Sequence, residues 1–263
     1  MSLSDSLSPE LLAALATAAA TEKLLVALDF DGTMSPLVDR AEDARALPGS
    51  AAALRELAQL PRTTTALISG RALDSLRLVA SPEPETLLIG SHGAEAWTGP
   101  GGAPLELTPS QVEILRHATG AVQQVVDAHP GTLLELKPAG VVLHMRTADA
   151  ETAQSAATAA RAALSSLDGV HLSNGKNVLE LSVVQADKGR GLQSLRELTA
   201  ATAVVFAGDD VTDEHALKTL RAPDVGLKVG AGESAAQYRI TSPEQLVEVL
   251  QELVRLRRAG VST

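Results

Sequence analysis

Toward both ends of the chain, short apolar runs alternate with longer amphipathic segments. The runs Leu25–Leu28, Thr64–Ile68, Leu87–Ile89, Ala203–Ala207 and Val225–Val229 predict strands. Between them the spacing predicts helices: over Pro48–Leu60, with Leu54 and Leu57 on one face, after Arg71, from Asp187 to about Leu198, and from Thr212. Ser242-Pro243-Glu244-Gln245 opens a last helix with a capping-box pattern and Pro in its first turn. Leu246, Val249, Leu250 and Leu253 form its apolar stripe. Strands alternating with helices indicate βαβ units and a parallel sheet.

The middle of the chain follows a different pattern. Gly99-Pro100-Gly101-Gly102 is a turn-rich break. It precedes a helix over Pro109–Ala128, strands over Thr132–Lys137 and Val141–Arg146 joined by a Pro-Ala-Gly turn, and a helix over Ala150–Leu167. Strands over Val170–Ser173 and Val178–Ser182 then flank Asn174-Gly175. Strands separated by turns without crossover helices predict an antiparallel sheet with helices on one side. The expected class is α/β, with residues 1–98 and 184–263 forming a parallel-sheet core and residues 99–183 an inserted α+β domain.

Composition narrows the chemistry. The 263 residues allow one large domain or two modest ones. They are 45% hydrophobic with two Phe, one Tyr and one Trp, so the core is expected to consist of Leu, Val, Ile and Ala. A net charge of −10 argues against a nucleic-acid surface and requires a local positive site for any anionic substrate. Without cysteine there is neither a disulfide nor a thiolate metal site, which leaves hard metals held by oxygen. The alanine-rich run Leu11–Ala20 follows Asp5 and Glu10 rather than a basic stretch, so it reads as a helix capped by Ser8 with Pro9 at its start, not as a signal peptide. No apolar stretch reaches the ~18–20 residues that span a bilayer, so no membrane partner and a cytoplasmic location are expected.

Polar residues gather where the strands are predicted to end. Asp29 and Asp31 follow the first strand, Ser69 and Arg71 the second, and Asp209, Asp210 and Asp213 a later one, while Lys188 stands at a helix start. In open α/β sheets the carboxyl ends of strands form the ligand crevice. Asp29 and Asp31 would share a face if their strand continued, and two carboxylates about 4 Å apart repel by roughly 4 kcal/mol at an effective dielectric of about 20. A cation or a proton must offset that cost. Singly, each element has a plainer reading as an Asp-Gly turn, a loop, a helix cap or a solvated lysine. Together they offer carboxylates for Mg²⁺, a hard cation, and a hydroxyl with an ammonium for a phosphoryl group.

Asp29-Phe30-Asp31-Gly32-Thr33, Ser69, Lys188 and Gly208-Asp209-Asp210-Val211-Thr212-Asp213 resemble, in order and spacing, the motifs of the haloacid-dehalogenase-like phosphohydrolases. Over nearly its whole length the chain is similar to the trehalose-6-phosphate phosphatases of that superfamily. The similarity lies in Ile68-Ser69-Gly70-Arg71, Ser91-His92-Gly93-Ala94-Glu95 and Glu214 after Asp213, and in the insert in Lys137-Pro138, His144-Met145-Arg146 and Asn174-Gly175-Lys176-Asn177-Val178-Leu179-Glu180.

The resemblance implies a Rossmann-like core, an insert that acts as a cap, and hydrolysis of trehalose 6-phosphate. It implies that Asp29 attacks phosphorus, that Asp31 serves as acid and then base, and that Ser69 and Lys188 hold phosphoryl oxygens. It further implies Mg²⁺ held by Asp29, the main-chain carbonyl of Asp31, and Asp209, with Asp210 and Asp213 behind them. Substrate contacts are expected from Gly70, Arg71, His92 and Glu95, and in the cap from Lys137, His144, Arg146, Asn174, Lys176 and Glu180. Trp97 either stacks on a sugar ring or packs near the linker. Phosphatases of sucrose phosphate or mannosyl-phosphoglycerate, and a non-catalytic sugar-phosphate sensor, are the rival readings. The substrate is expected to come from a separate trehalose-phosphate synthase.

Overall fold

The apolar run Leu24–Leu28 forms strand β1 and is buried along its whole length. It belongs to a computed structural model of the chain that describes residues 7–99, 107–165, 167–175, 177–184 and 187–261. Successive side chains of β1 serve two layers, which is why the run is continuously apolar rather than alternating. Leu24, Val26 and Leu28 share a core with Leu15 of α1 (Pro9–Ala19), Leu57 of α2 (Pro48–Gln59) and Leu250 of α8 (Pro243–Val261). Leu25 and Ala27 share another with Leu192 and Leu195 of α6 (Lys188–Thr199) and Leu217 of α7 (Asp213–Leu217).

β1 lies between β2 (Thr63–Ile68) and β9 (Ala203–Gly208), parallel to both. β3 (Leu87–Gly90) and β4 (Glu95–Trp97) extend the sheet on one side, β10 (Val225–Val229) and β11 (Tyr238–Ile240) on the other, in the order β11-β10-β9-β1-β2-β3-β4. Among the described strands of this sheet β4 alone is antiparallel to its neighbour. Leu28 stands opposite both Leu67 and Ala207, so Asp29, Ser69 and Asp209 leave the sheet along one edge. α3 (Leu73–Ala80) follows the β2 edge. β4 and β11, at three residues each, are too short to carry a readable period. Trp97 lies in β4, partly buried against the core, with the Arg77 guanidinium 4.3 Å from its ring centre.

The chain divides into two units, Met1–Pro104 with Asp187–Thr263, and Leu105–Ala186. In the second, α4 (Pro109–Ala128) and α5 (Ala150–Leu164) pack on a four-stranded antiparallel sheet. Its strands are β5 (Leu133–Lys137), β6 (Gly140–His144), β7 (His171–Gly175) and β8 (Val178–Ser182), in the order β5-β6-β8-β7. Val141, Leu143, Leu179 and Leu181 face the helices. The register puts Glu135, Lys137, His144 and Glu180 on the opposite face. α5 stops at Leu164 rather than Leu167, and β6 at His144 rather than Arg146. Among the described residues no helix is long and apolar enough to cross a membrane.

Candidate active site

Asp29 continues the alternation of β1 on the side of Leu25 and Ala27, where α6 and α7 lie, and is 3% exposed. Asp187 caps α6 by accepting the Arg190 amide at 2.9 Å, which places Lys188 in the first helical position at that same edge. Lys188, 2% exposed, donates to Asp29 Oδ1 and to Asp213 Oδ1, each at 2.7 Å, with Asp210 Oδ1 at 3.7 Å. Asp213 Oδ2 accepts the amides of Asp209 and Asp210 at 3.1 and 3.0 Å. Asp210 in turn accepts the Asp213 amide at 3.0 Å and the Thr212 hydroxyl at 2.8 Å. The loop after β9 is thus tied to itself and to β1.

Carboxylates outnumber ammonium groups here. Burial lifts Asp29 above the usual carboxylate range despite the opposing pull of Lys188. Burial, reinforced by Asp213 and Asp210, lifts Asp209, and burial with Asp29 beside it lifts Asp213. Burial pushes Asp210 the same way but is outweighed by Lys188 and the hydrogen bonds to Asp213 and Thr212, which hold it at about 2. Burial works against the charge of Lys188, yet Asp29, Asp213 and Asp210 together keep its pKa above the ordinary lysine value.

Oxygens of Asp29, Asp209 and Asp213 lie within 4.8 Å of one another, an all-oxygen set suited to a hard divalent cation. Both Asp213 oxygens are already engaged by Lys188 and two amides, so Asp213 fits the role of a support. Asp209 has lone pairs to offer, with the Thr33 hydroxyl 3.3 Å from its Oδ1. Gly32, at φ +81°, is required beside it, because a Cβ there would collide with the Asp209 carboxylate.

Asp31 belongs to a second cluster. β1 ends at Leu28, Phe30 turns into the core, and the Asp31 carboxylate meets the Arg71 guanidinium in a two-pronged pair, both contacts 2.6 Å. The repulsion expected between Asp29 and Asp31 is therefore met by a separate cation for each, Lys188 and Arg71. Ser69, 1% exposed, accepts the Arg71 amide on its hydroxyl at 3.2 Å. The His92 ring lies against Gly70, where a Cβ would strike it. Glu95 is buried and accepts from the Ser91 hydroxyl and, at 3.4 Å, from the Leu73 amide. Ser91 and His92 both have positive φ, 47° and 58°, and their amides bond Arg71 O and Ser69 O at 2.7 and 3.0 Å. His92 and Glu95 thus brace the Ser69-Gly70-Arg71 turn.

The residues of the second unit divide by face. Lys137 Nζ meets Glu180 at 2.7 Å, and His144 Nε2 meets Glu135 at 2.7 Å, all on the helix-free face. Asn174 falls on the other face and accepts from Arg161 of α5. Arg146 is exposed beyond β6. Lys176 lies outside the described residues.

Three residues of these clusters were not anticipated. Glu135 shares the period-2 face of Lys137, a signal the sequence does carry. Thr33 follows the glycine of the first motif. Lys228 sits in an otherwise apolar strand and donates to the Asp209 carbonyl at 2.5 Å.

A family model described as trehalose-phosphatase matches residues 27–244. The trehalose-phosphate phosphatase of Mycobacterium avium (strain 104) is 33% identical over 245 residues, covering 87% of this chain and 61% of that protein. That of Mycobacterium leprae (strain TN) is 30% identical over 251 residues, covering 88% and 57%. The chain thus spans about three fifths of the length of these curated relatives. Among solved structures, the C-terminal domain of Candida albicans trehalose-6-phosphate phosphatase superposes with a TM-score of 0.74 at 20% identity, over 95% of this chain and 98% of that one. A structure of Aspergillus fumigatus trehalose-6-phosphate phosphatase gives 0.69 at 23% identity, again over 95% and 98%. At these identities the structural likeness is one of fold.

Proposed function

The chain belongs to the trehalose-phosphatase family, and from that premise we propose that it hydrolyses trehalose 6-phosphate to trehalose and phosphate through a phosphorylated Asp29. The observation that carries the proposal is the Asp29 carboxylate at the end of β1. It is buried, bound through Oδ1 to Lys188 at 2.7 Å, and within 4.8 Å of oxygens of Asp209 and Asp213.

In the first step an Asp29 oxygen forms a bond to phosphorus, the bond from phosphorus to the sugar oxygen breaks, and Asp31 gives that oxygen its proton. In the second, water adds to phosphorus as Asp31 takes its proton, and the bond from phosphorus to Asp29 breaks. Lys188 orients Asp29 by one oxygen and leaves the other for attack. Lys188 and Ser69 hold phosphoryl oxygens, and Arg71 aims Asp31 through its two-pronged pair. Phosphoryl transfer asks for placement and charge neutralisation above all, and this set provides both.

Asp29 must be ionised to attack, while burial favours its neutral form. A divalent cation beside it resolves that conflict. Asp29, Asp209 and the Asp31 main-chain carbonyl would hold Mg²⁺, with Asp210 and Asp213 orienting them; when bound, the metal adds charge neutralisation for the phosphoryl oxygens. For the sugar, the helix-free face of the second unit offers Lys137, Glu180, His144 and Glu135. Carboxylate, ammonium and imidazole groups match a disaccharide's hydroxyls better than apolar side chains do.

The test is phosphate release from trehalose 6-phosphate, sucrose phosphate, mannosyl-phosphoglycerate and an aryl phosphate, with Mg²⁺ and with EDTA. Preferential, Mg²⁺-dependent release from trehalose 6-phosphate is expected. Preference for another sugar ester would overturn the substrate, and absence of release from every ester would favour a sensor.

A further inference from the structure

Lys228 is an unusual residue for its position. It lies in β10 opposite Gly208, the last residue of β9, between Leu227 and Val229 of the core, and is 5% exposed. A buried ammonium is costly unless paired and hydrogen-bonded. Its counter-charge is Glu214 of α7, but Glu214 Oε1 stands 3.8 Å away and makes no hydrogen bond. The other oxygen, Oε2, accepts the Ala235 amide at 2.8 Å. Lys228 reaches instead for a neutral acceptor, the Asp209 carbonyl, at 2.5 Å.

That carbonyl belongs to the peptide unit joining Asp209 to Asp210. In a trans peptide the C=O and the N–H point in opposite directions. The N–H end of this unit donates to Asp213 Oδ2 at 3.0 Å. The unit is therefore gripped at both ends, by Lys228 and by Asp213. Asp213 passes the connection through Lys188 to Asp29. Rotation of this one peptide would release its amide from Asp213 and so loosen the carboxylate that also holds Lys188 and the Asp209 amide.

We propose that Lys228 is a positioning residue for the cation-holding carboxylates: its hydrogen bond to the Asp209 carbonyl fixes the peptide that orients Asp209 and Asp213. The proposal rests on the reading of Asp29 and Asp209 as metal ligands. Residues behind a metal's ligands typically contribute about 10–100-fold to its affinity when they orient those ligands.

The experiment measures binding of Mn²⁺, a paramagnetic stand-in for Mg²⁺, by loss of the free-ion electron-spin-resonance signal, together with thermal unfolding of each variant. Lys228→Met is expected to weaken Mn²⁺ binding at least about tenfold. Because this variant leaves Glu214 without its counter-charge and can fail to fold, the decisive variant is Lys228→Met with Glu214→Gln. It removes the pair together and keeps an oxygen for the Ala235 amide. A purely structural role predicts that the double variant regains both stability and Mn²⁺ affinity. The positioning role predicts that affinity stays low while stability returns. Asp209→Asn is the benchmark. If it loses Mn²⁺ while the double variant binds like the parent protein, the role of Lys228 is overturned. If Asp209→Asn also binds like the parent, the metal assignment fails and this proposal with it.

Discussion

Replacing Lys188 by Met keeps all but the last atom of the side chain's length and removes its charge from among three carboxylates. At 2.7 Å from an oxygen each of Asp29 and Asp213, the ammonium attracts each by about 6 kcal/mol at an effective dielectric of about 20. Desolvation of the charges cancels most of that gain, and removing one partner from such a buried cluster costs roughly 3–5 kcal/mol. The loss should depend on pH. Burial already holds Asp29 and Asp213 above their unfolded values, and without Lys188 both rise further. A group whose pKa is higher folded than unfolded contributes stability below its unfolded value and loses it as pH climbs through its folded value. The variant relieves its excess negative charge by taking up protons, which costs little in acid and progressively more toward neutrality. Urea unfolding in EDTA at about pH 5 and about pH 8 should therefore show a deficit relative to the parent protein that widens toward the higher pH. An equal deficit at both, or a deficit below about 1 kcal/mol at the higher one, would refute the account of Lys188 as the counter-charge of this cluster.

Asp29→Asn should abolish phosphate release from every ester tested, since the amide is no nucleophile; ordinary turnover would remove Asp29 from the mechanism. In the metal-free parent protein the raised Asp29 and Asp213 should make the melting temperature fall as pH rises from about 4 through about 7. Added Mg²⁺ should flatten that slope, and a metal-free protein that gains stability over the same interval would contradict the site's electrostatics. Lys137→Met and Glu180→Gln should each reduce turnover of trehalose 6-phosphate at least about tenfold more than that of a small aryl phosphate. Equal losses on both substrates would mean that this pair does not read the sugar.

The parallel sheet is legible in the sequence because its central strands β1 and β9 are buried on both faces and so appear as unbroken apolar runs, and because the strand ends carry polar residues at fixed offsets. Ser8, Pro109 and Pro243 mark helix starts through local chemistry that needs no tertiary context. The counter-ions of the two motif carboxylates are less visible. Arg71 lies 40 residues from Asp31 and Lys188 lies 159 from Asp29, distances closed by strand register rather than by local pattern. The burial of Glu95 against Ser91 and Leu73 follows from the antiparallel turn into β4, an element with no period to detect. The side to which Asn174 points depends on a hairpin register that a shift of one residue would reverse. Lys228 stands out as a cation within an apolar strand, yet its acceptor is a main-chain carbonyl, which leaves no trace in the choice of amino acids.

Because Leu24 pairs with Thr63 on one side and with Ala203 on the other, the two halves of the pocket are made far apart in time on the ribosome. Asp29 is synthesised 159 residues before Lys188, and the β9 edge of β1 stays open until residues 203–208 have followed. No nascent chain that stops before Asp213 holds the lysine and all of the acidic groups, so the cluster assembles only after β9 has joined β1. Cutting the polypeptide within the intervening unit should accordingly yield two pieces, each inert alone, whose activity on mixing reports the zipping of β9 onto β1.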